Sequence, residues 1–556
     1  MRPAADQVAW PVEFARRYRA GGLWRDEPLG HWMWVWADRF GARTAIVDGD
    51  RRISYRQLAE HADAFAERLG HQGIESGSRI LVQLPNCWEF VAVLLGCARA
   101  GVVPVLALPA HREHEIGYLA RHAEVEAIVV PDRWREFDHQ QLAATIAAQL
   151  DRRCQVLVLG AQARSGAVDL GGLLEVDGDP QRRARLDAVR PDPAGVVLFL
   201  LSGGTTGQPK MIGRTHNDYE YNLRRSGEVC LFSEETTYLV ALPASHNFPL
   251  GCPGILGTLA VGGRVVMSSS PEPRRAFATI ARERVTVTSV VPAIAQRWVQ
   301  FAATSDADLS SLGVVQVGGS VLDPALARAI PKALGARLQQ VFGMAEGLLN
   351  YTRLDDPDEI VFGTQGRPIS RDDELLVVDE DDRPVPPGET GELLTRGPYT
   401  PRGYFRADEH NARSFTRDGW YRTGDLVRLG PGGNLVVEGR RKDLINRGGE
   451  KISAEEVENL ARELLAIQDA LVVPAPDERF GELVCLVVVP GPAGPPGLEE
   501  VRTAFDCHGV AHYKIPERIE ALDALPLTAV GKVDRKAVRR HVAGRTALLP
   551  TRTVAS

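Results

Sequence analysis

Hydrophobic and polar positions follow two alternating periods in the first part of the chain. Between about residues 44 and 130, a helical pattern such as residues 55–69 alternates with short β-rich runs at residues 79–84 and 102–106. A further apolar run at residues 195–201 has the composition of a buried strand, and the proline-punctuated polar stretch 179–195 before it predicts a loop. This alternation predicts an α/β sheet rather than a helix bundle or a β-sandwich.

Length and composition narrow the class of protein. A chain of 556 residues is too long for one hydrophobic core, so we expect two or more domains. With 44% hydrophobic and 25% charged residues and a net charge of -7, the chain is typical of a soluble globular protein and gives no case for nucleic-acid binding. Its apolar runs are shorter than the roughly 18 residues of a membrane helix, and its start lacks the apolar region of a signal peptide.

Seven cysteines are scattered along the chain without CxxC spacing. This pattern favours neither a disulfide framework nor a structural zinc site. We therefore expect a protein of the reducing cytoplasm.

The apolar strand at residues 195–201 leads directly into a glycine-rich loop. The loop contains Ser202, Gly203, Gly204, Thr205, Thr206 and Gly207, and Lys210 follows it. Glycines permit close approach, so backbone N–H groups and hydroxyls there could hold a polyphosphate. The spacing is not the Walker pattern, and the loop by itself is as compatible with an ordinary glycine turn as with a phosphate site.

Further motifs follow in a fixed order: residues 339–352 (QQVFGMAEGLLNYT), 419–425 (GWYRTGD), 439–452 (GRRKDLINRGGEKI) and the pair Gly531 and Lys532. Together with the glycine-rich loop, they resemble the adenylate-forming superfamily of acyl-CoA synthetases, nonribosomal peptide adenylation domains and luciferases. The resemblance covers nearly the whole chain. It implies an α/β protein with a large N-terminal α/β domain made of subdomains and a small mobile C-terminal α+β domain.

The resemblance also implies domain boundaries. Residues 1–439 would form the adenylation core with the aryl-acid and ATP pockets, 440–442 the hinge, 443–545 the mobile domain with the catalytic lysine, and 546–556 a tail. Lys442 occupies the hinge position, and Lys451 belongs to a loop that the family presents for thioester formation after the small domain swings. From the residues alone, both lysines could equally be surface charges.

ATP and Mg²⁺ are the cofactors that the resemblance implies. Asp425 and Arg440 hold the positions that address the ribose, and an ionised carboxylate suits ribose hydroxyls as an acceptor. Glu346 matches the magnesium glutamate, a hard oxygen ligand. Taken alone, Asp425 could be a turn residue and Glu346 a helix cap. The remaining ATP- or AMP-binding positions are Gly319, Ser320, Val341, Phe342, Gly343, Met344 and Ala345.

Lys532 is the predicted catalytic residue. When a carboxylate attacks the α-phosphate of ATP, two anions approach each other, and a lysine that reaches both would stabilise the growing charge. The alternative is a solvated loop lysine, as most lysines are.

Residues 242–254 (LPASHNFPLGCPG) resemble the stand-alone aryl-acid-AMP ligases of siderophore and related pathways, which activate salicylate or 2,3-dihydroxybenzoate. Asn247 stands where amino-acid adenylation domains have an aspartate, and an amide can bind an ortho-hydroxyl without leaving an unpaired charge. Asparagine near proline is also a common turn signal. The aryl-acid positions are His246, which is also a predicted catalytic residue, Asn247, Phe248, Cys252, Gly318, Gly319, Val341 and Leu349.

Cys252 distinguishes two substrates. The position tends to be serine in the resembling 2,3-dihydroxybenzoate enzymes and cysteine in the salicylate group. A thiol is a weak hydrogen-bonding partner, so a 3-hydroxyl buried against it would lose roughly 1 to 3 kcal/mol. The residue therefore favours salicylate, with an inert core cysteine as the alternative.

The predicted reaction has two steps. Salicylate and Mg-ATP give salicyl-AMP and pyrophosphate, and a phosphopantetheine thiol then takes the aryl group. No Gly-Gly-x-Ser carrier site follows Lys532, so the expected partner is a separate aryl carrier protein. The alternatives are a 2,3-dihydroxybenzoate or hydroxypicolinate ligase, an aryl-CoA ligase, and a non-catalytic binding module, which would need the phosphate loop or Lys532 to be missing.

Overall fold

The computed structural model describes residues 8–160, 163–202, 209–440, 444–492, 494–526 and 533–546. Several predicted site residues lie outside this part of the chain, as does the side chain of Arg440. They are Gly203, Gly204, Thr205, Thr206, Gly207, Lys442, Gly531 and Lys532.

The chain divides into two compact units. The larger unit comprises residues 1–109, 119–202 and 210–441, and the smaller unit comprises residues 110–118, 203–209 and 442–556. The short segment 110–118 thus groups with residues that follow it by more than three hundred positions.

The strands of the larger unit are β1 (Thr44–Asp48), β2 (Arg51–Ser54), β3 (Arg79–Val82), β4 (Val103–Leu106), β5 (Ala127–Pro131), β6 (Arg133–Trp134), β7 (Phe137–Asp138), β8 (Gln155–Leu159), β9 (Val168–Asp169), β10 (Val196–Ser202), β11 (Lys210–Thr215), β12 (Thr237–Val240), β13 (Arg264–Met267), β14 (Val287–Val290), β15 (Val314–Gly318), β16 (Arg337–Gly343), β17 (Leu349–Tyr351), β18 (Arg367–Pro368), β19 (Glu374–Val378), β20 (Thr390–Arg396), β21 (Tyr421–Leu429) and β22 (Leu435–Arg440). The strands of the smaller unit are β23 (Leu444–Arg447), β24 (Glu450–Ser453), β25 (Ile467–Asp477), β26 (Gly481–Pro490) and β27 (Arg518–Ala521).

The helices are α1 (Val12–Ala20), α2 (Leu29–Phe40), α3 (Tyr55–His71), α4 (Trp88–Ala100), α5 (Glu113–His122), α6 (His139–Ala148), α7 (Leu170–Leu174), α8 (Arg182–Asp187), α9 (His216–Val229), α10 (Asn247–Gly251), α11 (Gly254–Ala260), α12 (Pro273–Glu283), α13 (Pro292–Ala302), α14 (Pro324–Leu334), α15 (Asp358–Gly363), α16 (Asp408–Ser414), α17 (Ala454–Arg462), α18 (Leu498–Cys507) and α19 (Arg535–Thr546). Single 3-10 turns lie at Pro431–Gly433 and His512–Lys514.

Two mostly parallel sheets form the framework of the larger unit. One has the order β18-β17-β16-β15-β14-β12-β13-β1-β2, and its neighbours from β16 to β1 run parallel. The other has the order β11-β10-β4-β3-β5-β8-β9 and is parallel except for the β10–β11 hairpin. A four-stranded antiparallel sheet, β19 to β22, completes the unit. The α/β prediction is confirmed.

The predicted elements of the first sheet region are present. The helical pattern at residues 55–69 forms α3, whose start is fixed by a capping box in which Ser54 and Gln57 exchange hydrogen bonds. Residues 79–84 and 102–106 contain β3 and β4. The predicted loop at residues 179–195 is wrong in part, since α8 lies within it. Arg182 of α8 pairs with Glu67 of α3, and Leu186 is buried, so tertiary contacts hold a helix that the polar pattern does not indicate.

The smaller unit is an α+β structure. Strands β24, β23, β26 and β25 form a sheet to which β27 adds in parallel, and α17 and α18 contribute Val457 and Phe505 to its core. Within this unit, the buried ammonium of Lys514 lies 2.7 Å from a Glu456 carboxylate oxygen and 2.9 Å from one of Glu115. The two carboxylates raise the pKa of Lys514 despite its burial. The lysine is therefore held as a cation.

A helix that spans a lipid bilayer needs about 20 consecutive, mostly apolar residues. Within the part of the chain that the structure describes, no helix combines the length and apolar character of a membrane span.

Candidate active site

The candidate site lies where neighbouring parallel strands end. Strands β12, β14, β15 and β16 are adjacent in the larger sheet and run in one direction. Their carboxyl ends therefore share one edge, which is where open α/β sheets bind ligands. The segment after β12 leads to His246, β15 ends at Gly318, and β16 ends at Gly343.

Four of the predicted aryl-acid residues belong to one buried hydrophobic cluster: Phe248, Cys252, Val341 and Leu349. Gly318 lies among them. A Cβ added there would stand 2.6 Å from the Val341 carbonyl oxygen and 3.3 Å from Cε1 of Phe248, so only glycine lets these groups approach. Gly319 has a φ of +91°, a conformation that favours glycine. The structure thus brings five of the predicted aryl-acid residues together: Gly318, Phe248, Cys252, Val341 and Leu349.

Asn247 begins the short helix α10 and is 7% exposed. Its Oδ1 accepts a hydrogen bond of 3.0 Å from the hydroxyl of Tyr219. His246 precedes the helix, and its Nδ1 accepts from the Phe248 N–H at 3.2 Å. The imidazole proton therefore resides on Nε2 when the ring is neutral.

Cys252 is 2% exposed, and burial raises the pKa of its thiol to about 12. The side chain is therefore a neutral S–H at physiological pH. Tyr351 donates its hydroxyl proton to the backbone carbonyl of Cys252 at 2.8 Å, and Asn222 donates to the neighbouring Gly251 carbonyl at 2.6 Å. These contacts fix the backbone on both sides of the thiol.

On the nucleotide side, Glu346 lies in the turn between β16 and β17, so it caps no helix. The buried carboxylate accepts a hydrogen bond of 2.9 Å from the Tyr404 hydroxyl, which also lies 3.2 Å from the hydroxyl of Tyr421. The ammonium of Lys210 faces the Tyr404 ring, 5.0 Å from its centroid. Lys210 is also the strand partner of Ser202 across the β10–β11 hairpin. Tyr404 therefore contacts both Glu346 and the lysine that follows the glycine-rich loop.

Asp425 and Arg440 are direct partners across the β21–β22 pair. Asp425 is 2% exposed, and its backbone N–H donates to the Thr423 hydroxyl at 3.0 Å. Asp425 is a strand residue, not a turn residue. The structure thus juxtaposes the two positions that the sequence associates with a ribose.

The remaining nucleotide positions follow the same edge. Val341, Phe342 and Gly343 end β16, Met344 and Ala345 open the turn, and Ser320 is exposed just past β15. Arg214 donates to the Ala345 carbonyl at 3.2 Å and pairs with Asp218 at 2.7 Å. Lys451 lies in β24 of the smaller unit, opposite Asn446.

Sequence reasoning missed three residues that support this site. Tyr404, Tyr219 and Arg214 are buried, yet their hydroxyl and guanidinium groups contact Glu346, Asn247 and Ala345. Tyr404 follows a glycine in a Pro-Arg-Gly-Tyr stretch, which gave a weak turn signal at most. Arg214 and Tyr219 carried no signal, because hydrophobic periodicity treats polar side chains as exposed.

The side chains that could ligate a metal determine which metal ion the site could hold. Among the described residues, no group of three or more His, Cys, Asp or Glu side chains could hold a metal ion. Glu346 is instead a single buried carboxylate with one oxygen engaged by Tyr404. A lone carboxylate suits Mg²⁺, which usually takes one or two protein carboxylates together with substrate phosphates.

Comparison with known proteins identifies the family. Residues 33–405 match the AMP-binding enzyme family, and residues 456–532 match the AMP-binding enzyme C-terminal domain. A salicylyl-CoA synthase / salicylate adenylyltransferase from Streptomyces sp is 57% identical, over 97% of this chain and 98% of its own. A 2,3-dihydroxybenzoate-AMP ligase from Bacillus subtilis (strain 168) is 47% identical, over 96% of this chain and 97% of its own.

The solved apo structure of Mycobacterium smegmatis MbtA has a similar fold, with a TM-score of 0.74, 44% identity and coverage of 96% of this chain and 99% of that chain. Fold and family match agree. The chain belongs to the AMP-binding enzyme family and is an adenylate-forming ligase.

Proposed function

We propose that the enzyme activates salicylate to salicyl-AMP and releases pyrophosphate. The observation that carries the proposal is a neutral thiol, Cys252, which is buried with Phe248 in one apolar cluster and directly follows the short helix α10 that Asn247 begins. The amide can bind the ortho-hydroxyl, and the thiol offers a 3-hydroxyl only a weak partner. The name of the Streptomyces relative, which refers to salicylate, supports the same choice.

The proposed roles follow from chemistry. The salicylate ring would pack on Phe248, with Val341 and Leu349 lining the remainder, and its carboxylate would attack the α-phosphate of ATP. The glycine-rich loop and Lys210 would hold the departing phosphates, and Asp425 with Arg440 the ribose. Lys532 would offset the repulsion between the two anions during the attack.

Glu346 is the proposed Mg²⁺ ligand. The ion would neutralise phosphate charge, which is the chemistry that such a cation supplies. The protein's own contribution is the Tyr404 hydrogen bond, which holds one carboxylate oxygen and leaves the other available.

We also propose a second step in which a phosphopantetheine thiol of a separate aryl carrier protein takes the aryl group. Residues 440–442 would act as the hinge between the adenylation core and a mobile C-terminal domain, with Lys442 at the pivot and Lys451 acting in the thiol step. Free CoA is the alternative acceptor. The Streptomyces relative favours it, because the first half of that relative's name is salicylyl-CoA synthase. The seven free cysteines are consistent with the reducing cytoplasm as the site of action.

Exchange of labelled pyrophosphate into ATP tests the proposal. The panel comprises salicylate, 2,3-dihydroxybenzoate, 3-hydroxypicolinate and an amino acid. We expect salicylate to give the highest kcat/KM. A clear preference for 2,3-dihydroxybenzoate would show that the role given to Cys252 is wrong, and aryl-CoA formation without a carrier protein would identify the acceptor as CoA.

A further inference from the structure

The amide of Asn247 has a defined orientation. Tyr219, in helix α9, donates its hydroxyl proton to Oδ1 of Asn247 at 3.0 Å. Among the residues that the structure describes, Tyr219 is the hydrogen-bond partner recorded for the Asn247 side chain. The carbonyl end of the amide is thus engaged by the protein, and the NH₂ end keeps its donors for another molecule.

Burial keeps the Tyr219 hydroxyl protonated, and Arg214 and Gly251 lie beside the ring and its hydroxyl. Tyr219 is fully buried, and burial raises the pKa of its phenol well above the usual value, so the proton stays on the oxygen. Arg214, which pairs with Asp218, places its guanidinium 4.9 Å from the centroid of the Tyr219 ring. Gly251 leaves room for the hydroxyl, since a Cβ there would lie 2.6 Å from Oη.

We propose that Tyr219 is a positioning residue that makes Asn247 a hydrogen-bond donor and so selects acids with a lone pair at the ortho position. This inference rests on the proposed function. In salicylate, the ortho O–H donates to its own carboxylate, and the oxygen lone pairs remain for the Asn247 NH₂. In 2-aminobenzoate, the second N–H points outward, so two donors would face each other with no acceptor between them.

The test compares salicylate with 2-aminobenzoate in pyrophosphate exchange. In Tyr219→Phe the amide is free to turn, so we expect the ratio of kcat/KM for salicylate to that for 2-aminobenzoate to fall about tenfold, the usual size of one buried hydrogen bond. Tyr238→Phe is the matched control. It removes another fully buried hydroxyl, one that donates to Ser289 at 2.9 Å, and should leave the ratio unchanged.

Combining Tyr219→Phe with a second substitution, Asn247→Ala, shows whether Tyr219 acts through the Asn247 amide. In Asn247→Ala, we expect Tyr219→Phe to leave the ratio unchanged, because no amide remains to be oriented. If Tyr219→Phe gives no folded protein, Gly251→Ala replaces it as the test variant. Its methyl group would displace the same hydroxyl, so it should lower the ratio of kcat/KM for salicylate to that for 2-aminobenzoate by a similar factor.

The outcomes separate the inference from the proposed function. If the wild-type enzyme activates neither acid, the proposed function is wrong whatever Tyr219 does. If the wild-type enzyme prefers salicylate and Tyr219→Phe keeps the full preference, the inference is overturned. An equal loss of rate with both acids also overturns it, because that result means the hydroxyl supports packing rather than the orientation of the amide.

Discussion

The hydroxyl of Tyr404 lies 2.9 Å from Oε1 of Glu346 and donates a hydrogen bond to it. The ring of the same tyrosine faces the ammonium of Lys210 at 5.0 Å. One buried side chain therefore contacts both an acidic and a basic residue of the predicted nucleotide site, although the three lie far apart in the chain.

Tyr404→Phe should weaken the use of Mg-ATP. Loss of a hydrogen bond to a carboxylate costs about 2 kcal/mol, so we expect kcat/KM for ATP to fall by at least about tenfold, with more Mg²⁺ needed for half-maximal rate. Tyr421→Phe is the control, since that hydroxyl contacts Tyr404 rather than Glu346. Pyrophosphate exchange at varied Mg²⁺ measures the effect. An unchanged Mg²⁺ dependence would contradict a role for Tyr404 in positioning Glu346.

Lys532→Ala should separate the two steps of the reaction. We expect pyrophosphate exchange to fall on the order of 10² to 10³-fold, while transfer of aryl from supplied aryl-AMP to a thiol continues. Lys332→Ala, in the outer helix α14, should change neither step. Equal loss of both steps would mean that Lys532 mainly supports the fold of the smaller unit.

Cys252→Ser should shift preference from salicylate toward 2,3-dihydroxybenzoate. A serine hydroxyl can satisfy the 3-hydroxyl that a thiol leaves poorly paired, a difference of roughly 1 to 3 kcal/mol. The ratio of kcat/KM for the two acids measures the shift. Cys230→Ser is the control, because Cys230 belongs to the same buried cluster and contacts Gln316 instead. An unchanged ratio would place Cys252 away from the 3-edge of the ring.

Asp373 should make stability depend on pH. Burial raises the pKa of this carboxyl to about 8 in the folded protein, and it accepts hydrogen bonds from Tyr399 and from the Ser370 N–H. The unfolded carboxyl ionises near 3.8, so between these values the folded state binds more protons, and stability falls as pH rises.

Asp373→Asn should remove this slope, which is at most about 1.4 kcal/mol per pH unit. Denaturant unfolding of the wild-type protein and the variant at several pH values between about 5 and about 8 measures the slope. Asp355→Asn changes an exposed carboxyl and should keep the wild-type slope. Parallel curves for the wild type and Asp373→Asn would show that Asp373 is ionised in the folded state.

The elements that the sequence predicts well are those with regular periodicity. Helix α3 and strand β10 follow their apolar patterns, and the motif order predicted an adenylate-forming ligase, which the family match confirms. The same motifs pointed to Asn247 and Cys252, and the structure adds that Cys252 is buried in one apolar cluster and that Asn247 accepts a hydrogen bond from Tyr219.

The residues that escaped prediction are polar and buried. Arg214 donates a hydrogen bond to the Ala345 carbonyl, 131 positions away, and Tyr219 donates one to Asn247, 28 positions away. Local sequence carries no information about such distant partners, and a polar side chain reads as solvent-exposed until its partner is known. Lys532 and Lys442 lie outside the described residues, so their roles stay predictions.

The contact between Lys514 and Glu115 has a consequence for how the polypeptide can be divided. The two side chains come from segments that are far apart in the chain, and the Ala511 N–H also donates to Glu115, 396 positions away. A fragment that starts at residue 443 would lack this carboxylate, so Lys514 would lose one of its two ion-pair partners and the Ala511 N–H would lose its acceptor. Because a buried charge that loses a partner is strongly destabilising, expression of the C-terminal piece by itself should yield a less stable protein than the same residues within the intact chain.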